Sequence, residues 1–149
     1  MKVDGGELDW RGPEFFFVAS QETEKAMRRA CIETQGEAKK LIGGAGSGRK
    51  YRRGKRYHRA SAPGEPPARD TGTLAASVEY EVSRRGDMIQ GSVGSNLDLV
   101  RQKGRTAQPD YGSYLEFGTR KMDPRPWLAP TLKRMSSKIR RIFMDALKG

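Results

Sequence analysis

The stretch from Tyr111 to Pro130, which reads YGSYLEFGTRKMDPRPWLAP, constrains the fold more than any other part of the chain. Its first half contains apolar residues at helical spacing, namely Tyr111, Tyr114, Leu115 and Phe117. This spacing predicts a short helix that buries these residues on a single face. Gly118 is expected to end the helix, because glycine adopts the left-handed capping conformation without a Cβ penalty. The apolar pair Trp127-Leu128 opens another helix, so the stretch predicts a corner between two helices.

Two charged side chains inside this corner need particular surroundings. Glu116 stands between Leu115 and Phe117, and a buried carboxylate is costly unless it is paired or hydrogen-bonded. We therefore expect Arg120, Arg125 or backbone N–H groups of the following turn to approach Glu116. Arg125 has a proline on each side, which favours an extended backbone at that position. Judged on residue types alone, the corner simply packs the core.

The strongest helical pattern in the chain follows the corner, from Trp127 to Leu147. Its apolar residues recur at three- and four-residue steps: Leu128, Leu132, Met135, Ile139, Ile142, Phe143 and Ala146. The opposite face is basic and carries Lys133, Arg134, Lys138, Arg140 and Arg141. We interpret these cations as a solvated helix face, and the alternative is a binding surface.

A second long helix is predicted from Pro13 to Ile42, because proline fits the first position of a helix. One stripe recurs there at steps of three and four: Met27, Cys31, Thr34, Ala38 and Leu41. Gly36 weakens this helix by about 1 kcal/mol relative to alanine. Cys31 is the only cysteine, and we interpret it as a small core residue. Residues 1–12 are polar and are interpreted as an N-terminal arm.

Strict alternation from Ser77 to Ser83 predicts a β-strand with valines and a tyrosine on one face. The hairpin loop is expected at residues 84–87, where Gly86 can adopt a positive φ, and the return strand at 88–94. Two strands alone are marginal, so this hairpin must pack on helices, another strand or a neighbouring subunit. Residues 13–149 are therefore predicted to form one α+β domain. It has a long N-terminal helix, a small sheet centred on an antiparallel β-hairpin, and a long C-terminal helix.

A long basic loop, residues 43–70, is predicted between the first helix and this hairpin. Its segment RKYRRGKRYHR contains two tyrosines among seven cations: Arg49, Lys50, Arg52, Arg53, Lys55, Arg56 and Arg59. The segment has no apolar periodicity, so no packed element is predicted there. Loops of this length are usually functional or disordered. Contact with DNA phosphates, contact with an acidic protein neighbour and simple solvation all remain open.

The composition argues against several functional classes. The net charge of +11 indicates a polyanionic partner or an acidic protein surface. One cysteine and one histidine exclude the usual zinc frameworks, and no nucleophile or carboxylate pair stands at catalytic spacing. We therefore expect no enzyme activity, metal or cofactor, and we interpret His58 as a solvated loop residue. The longest apolar run, residues 15–19, is too short for a membrane span or a signal peptide. A soluble protein made inside the cell, without membrane contact, is expected.

Three motifs occur in an order that one known family shares: Asp70-Thr71-Gly72-x-Leu74, Tyr114-Leu115-Glu116-Phe117-Gly118-Thr119 and Arg125-Pro126-Trp127-Leu128. Over about residues 20–147 the chain resembles the neck or tail-completion (head–tail joining) proteins of tailed bacteriophages, in particular of HK-type lambdoid siphophages. The family pattern usually has alanine in place of Gly112 and often in place of Thr131. A polar insertion at residues 97–109 is a further departure.

The resemblance implies a structural virion protein. Such proteins form a homo-oligomeric ring in the neck, between head-closure or adaptor proteins and the tail terminator or tail tube, and complete head–tail joining. The implied location is the virion, after assembly in the host cytoplasm. The basic loop would then meet packaged DNA in the channel or a neighbouring protein. The alternative class is a small basic nucleic-acid-binding accessory protein that works outside a virion.

Overall fold

The computed structural model describes residues 21–95 and 111–148, and it confirms the predicted α+β class. The described elements, in chain order, are α1 (Gln21–Ile42), β1 (Lys50–Arg53), β2 (Arg56–Arg59), α2 (Thr73–Ser77), β3 (Val78–Arg85), β4 (Met88–Ser95), α3 (Tyr111–Phe117) and α4 (Leu128–Ala146). Among these residues β1 pairs antiparallel with β2, and β3 with β4, in two separate sheets. The predicted arm at residues 1–12, the helix start at Pro13 and the polar insertion at 97–109 lie outside the described residues.

Helix α4, the β3–β4 hairpin and α2 pack against α1. Near its N-terminal end, α1 forms one core cluster with α4: Ala26, Ala30, Met135, Ile139 and Ile142. Toward its C-terminal end, it joins a second cluster: Ala38, Ile42, Val78, Leu115, Trp127 and Leu128. Early residues of α1 therefore meet late residues of α4, so the two helices run antiparallel. The alanines of α1 at these contacts let the neighbouring elements approach closely.

Ion pairs link the polar edges of α1 and α4. The Lys138 ammonium lies 2.6 Å from a Glu33 carboxylate oxygen, and a guanidinium nitrogen of Arg134 lies 3.5 Å from Glu37. Hydrogen bonds from Lys138, and then from Arg29, hold the pKa of Glu33 below its usual value of 4.5. The cationic side of α4, which was interpreted as solvated, thus also forms ion pairs with α1.

One face of the β3–β4 sheet lies against α1, as the hairpin prediction required. The strand register places Gly91 opposite Val82 on this face. A Cβ atom at Gly91 would lie 2.5 Å from the Cys31 sulfur and 2.6 Å from the Met27 sulfur. Such distances are too short for van der Waals contact, so a glycine is needed where α1 crosses β4.

Cys31 is buried in this contact and only 5% exposed. Burial raises the pKa of its thiol to about 11, and the nearby positive charge of Arg28 opposes that rise. The thiol is therefore almost entirely protonated at neutral pH, and a protonated thiol is a poor nucleophile. The interpretation of Cys31 as a core residue is confirmed.

The predicted basic loop contains a second hairpin, formed by β1 and β2. Its strands are exposed, so it is not the packed element that the sequence argued against. β1 and β2 pair along their full length, and the turn contains Lys55 and Gly54, whose φ is 59°. The rings of Tyr51 and His58 contact each other across the strands with centroids 5.3 Å apart. Apolar periodicity could not reveal this hairpin, because it buries no apolar face and depends on its turn and its cross-strand pairs.

Gly91 and Gly36 provide a matched pair of substitutions. Gly91→Ala should destabilise the protein by about 1–3 kcal/mol, because the added methyl group overpacks the contact with α1. At Gly36 no atom lies within 4 Å of an added Cβ, so Gly36→Ala should stabilise the helix. The expected gain is about 0.5–1 kcal/mol. Urea denaturation measures both values, and a Gly91→Ala protein as stable as the wild type would contradict the close approach.

The ion pairs of Glu33 should make stability depend on pH. A carboxyl group whose folded pKa is lowered adds stability above its unfolded pKa, and this stability is lost as the pH falls through the folded pKa. Glu33→Gln should therefore lower the melting temperature at pH 7 and approach the wild-type value in strong acid. Glu24→Gln removes an exposed pair with Arg28 within α1 and should change little. Identical melting curves of Glu33→Gln and wild type at pH 7 would show that the interhelical pair adds nothing.

Candidate functional site

The Glu116 carboxylate organises the corner between α3 and α4. Glu116 is buried, and its Oε2 atom accepts hydrogen bonds from the backbone N–H groups of Trp127 at 2.7 Å and Leu128 at 2.8 Å. Its Oε1 atom accepts a third hydrogen bond from the N–H group of Ala129 at 3.0 Å. These N–H groups lie at the start of α4, where a helix has no internal acceptors and its dipole favours negative charge. Glu116 therefore caps the C-terminal helix from a distant position in the sequence.

This geometry decides among the partners expected for Glu116. Backbone N–H groups satisfy the carboxylate, and they come from the start of α4 rather than from the turn that follows Glu116. Arg125, one of the two arginines expected beside Glu116, makes other contacts among the described residues. Its backbone N–H donates to the Leu115 carbonyl at 2.6 Å, and its Nε donates to the Ser61 carbonyl at 3.2 Å.

Trp127 fills the centre of the corner and is 2% exposed. Its indole N–H donates to the Gly112 carbonyl at 3.1 Å, and the hydroxyl of the buried Thr131 donates to the Trp127 carbonyl at 2.6 Å. A Cβ atom at Gly112 would collide with the Ser95 side chain. The corner accounts for the residues at positions 112 and 131. It has no room for alanine at 112, and it gives the threonine hydroxyl a partner.

The prediction of one buried aromatic face on α3 is wrong. α3 buries Gly112, Leu115 and Glu116 instead. Three aromatic residues, which we call the aromatic stripe, are 57%, 46% and 48% exposed: Tyr111, Tyr114 and Phe117. They recur at three-residue steps and so share one side of the helix. The spacing of apolar residues predicted that the aromatic side of α3 is buried. The side that carries Glu116 is buried instead, because its carboxylate caps α4.

The first motif of the resemblance lies where the basic loop returns to the body. Asp70 pairs with the hairpin, as described below. The Thr71 hydroxyl accepts a hydrogen bond from the Thr73 backbone N–H at 3.3 Å, as expected for a residue that caps backbone donors. Gly72, with φ 84°, is the N-cap residue of α2, and Leu74 packs against the core cluster around Trp127.

The second motif ends α3 as predicted. Gly118 has φ 76°, and its N–H donates to the Tyr114 carbonyl at 2.9 Å. A Cβ atom there would lie 2.7 Å from the Met122 carbonyl oxygen, so both backbone conformation and space require glycine. Thr119 forms an isolated β-bridge with Met122, which turns the chain toward Pro126 and the start of α4.

Hydrogen bonds also tie the base of the basic loop to the body. The Ser47 hydroxyl donates to Glu65 at 2.5 Å, and the Ala62 backbone N–H donates to the same carboxylate at 2.9 Å. These bonds, that of Ser47 first, lower the pKa of Glu65. The Gly64 backbone N–H donates to the Pro124 carbonyl at 2.9 Å, which joins this base to the corner.

The register of β1 and β2 divides the hairpin into two faces. One face, which we call the basic face, carries Lys50, Arg52, Tyr57 and Arg59. The other face carries Tyr51, Arg53, Arg56 and His58. Of the remaining cations, Lys55 lies in the turn and Arg49 precedes β1.

Asp70 holds the second face of the hairpin toward the body. Its carboxylate forms an ion pair with Arg53 and lies 3.9 Å from Nδ1 of His58. The His58 side chain is only 16% exposed, so the interpretation of His58 as solvated is wrong. Tyr57 on the basic face is 68% exposed, which shows that the basic face points to solvent.

No protein-family model matches the chain, and neither a curated protein nor a solved structure matches it. Within residues 21–95 and 111–148, no group of three or more His, Cys, Asp or Glu side chains could hold a metal ion. None of the described helices is both long enough and apolar enough to cross a bilayer. The described surface thus contains a capped corner with exposed aromatics and an exposed basic hairpin.

Replacing Glu116 tests the helix cap. Glu116→Gln removes the charge and one acceptor oxygen, which leaves backbone N–H groups of α4 poorly satisfied. We expect the free energy of unfolding to fall by about 2–3 kcal/mol. Asp123→Asn removes one negative charge from the exposed connection nearby and should stay within about 0.5 kcal/mol of wild type. The cap is unimportant if urea denaturation gives both variants the same midpoint.

Proposed function

We propose that this chain is a structural subunit of the neck of a tailed bacteriophage, where copies of it form a ring and complete head–tail joining. One side of the ring meets head-closure or adaptor proteins, and the other meets the tail terminator or tail tube. The order of the three sequence motifs suggests this family. The observation that carries the assembly role is the aromatic stripe on α3.

The aromatic stripe supports self-association. Tyr111, Tyr114 and Phe117 stand side by side on the surface, whereas Leu115 on the same helix lies in the core. Aromatic residues are enriched at protein interfaces, and a contiguous exposed apolar patch marks an interaction site. The stripe also lies on the helix whose other side caps α4, so its position is fixed by the core. A second copy of the chain is the occupant that we propose.

The net charge supports a ring that surrounds or adjoins a polyanion. Each copy carries +11, so neighbouring copies repel one another unless negative charge lies close by. DNA in the lumen of the ring, or an acidic face of an adaptor protein, supplies that charge. The competing class, a small basic nucleic-acid-binding accessory protein, draws on the same charge but requires no ring. Presence in purified particles at a fixed copy number separates the two classes.

The aromatic stripe can be tested with a matched apolar control. The variant Tyr111→Ser, Tyr114→Ser and Phe117→Ser should remain folded but fail to assemble, because the interface loses its apolar area. The control replaces three other exposed apolar residues, Ile32, Met144 and Leu147, by serine and should assemble as wild type does. Light scattering after size exclusion, and electron microscopy of particles, measure assembly. A wild-type chain that stays monomeric and is missing from particles would refute the proposal.

A further inference from the structure

The basic face of the β1–β2 hairpin is a continuous cationic surface. Lys50 and Arg52 follow each other at a two-residue step, and the register brings Arg59 opposite Lys50 and Tyr57 opposite Arg52. Residues 49–59 contain no Asp or Glu, so the hairpin has no internal carboxylate to neutralise them. The ammonium of Lys50 lies 5.0 Å from the centre of the Tyr57 ring. That contact holds Lys50 on this face beside a large exposed aromatic ring.

The opposite face fixes how the hairpin is presented. Asp70 pairs with Arg53 and lies next to His58, so the carboxylate available near the hairpin is used on the body side. The basic face therefore keeps its positive charge in solvent. The Arg52 Nε donates to the Gly54 carbonyl at 2.9 Å, which holds that side chain at the tip of the hairpin. Its terminal guanidinium nitrogens can still donate to a partner.

The regular spacing and the guanidinium groups of this face suit a phosphate backbone. Residues two apart on a strand are about 6.6–6.8 Å apart, so Lys50 and Arg52 present two cations at a regular step along one face. Guanidinium groups bind phosphate oxygens in bidentate fashion. A two-stranded β-ribbon is also narrow enough to enter the major groove of a duplex.

We propose that the basic face, formed by Lys50, Arg52, Arg59 and Tyr57, binds the phosphate backbone of duplex DNA. The three cations contact phosphates, and the Tyr57 ring positions Lys50. This binding is a property of the single chain and does not require a ring, so it can hold or fail independently of the neck assignment.

A charge-matched comparison tests the proposal. The hairpin variant is Lys50→Ala, Arg52→Ala and Arg59→Ala, and the control variant removes three exposed cations of α4: Lys133→Ala, Arg140→Ala and Arg141→Ala. Both variants lower the net charge by the same amount. Fluorescence anisotropy with a labelled duplex of about 30 base pairs, long enough to span roughly three helical turns, gives the dissociation constant over a series of NaCl concentrations. Circular dichroism and the melting temperature verify that each variant is folded.

The hairpin variant should bind the duplex at least about tenfold more weakly, and its log–log salt slope should fall by about 0.9 for each phosphate that the variant no longer neutralises. The control variant should keep most of the wild-type slope. Equal weakening in both variants would overturn the proposal, because net charge alone would then explain binding. The proposal would also be overturned if the hairpin variant bound the duplex with the same dissociation constant as the wild-type protein. If that variant kept its DNA affinity but failed to enter particles, the basic face would belong to a protein interface instead.

Discussion

The three hydrogen bonds that Glu116 accepts from the start of α4 are the contact on which the described fold depends most. They satisfy backbone donors that the helix itself cannot satisfy, and they do so with a full negative charge at the positive end of the helix dipole. They also fix the angle between α3 and α4. That angle places Trp127 beneath Gly112, where the indole and the carbonyl meet. A neutral side chain of similar size could fill the space at position 116 but could not hold these three donors.

Small residues allow the neighbouring elements to approach α1 closely. Alanines at 26, 30 and 38 bring α4 and the corner close to the helix, and Gly91 lets β4 cross it. Because each contact depends on a small side chain or on a glycine, these positions have little room for added volume. Ion pairs from Glu33 and Glu37 to α4 then reinforce the rim of this helix pair.

Periodicity predicted the parts of the fold that bury an apolar face. The stripe through Cys31, Thr34 and Ala38, the alternation through Val78 and the apolar steps of α4 all correspond to observed elements. Two features of the candidate sites lay beyond such patterns. The exposed hairpin buries no apolar face, so its sequence has no apolar alternation from which the pairing of β1 with β2 could be predicted. The partners of Glu116 are distant in the sequence, and local pattern could not show which face of α3 would turn inward.

Two hydrogen bonds link the base of the basic loop to the corner. Ser61 and Gly64 bond to Arg125 and Pro124, immediately before the capped start of α4. The base of the hairpin is thus bonded to the residues just before α4, while Asp70 pairs with Arg53 on its strands. A force applied to the hairpin would reach the beginning of α4 through these two hydrogen bonds. A load on the hairpin would therefore reach the start of α4 without passing through the contact between α1 and the β3–β4 sheet.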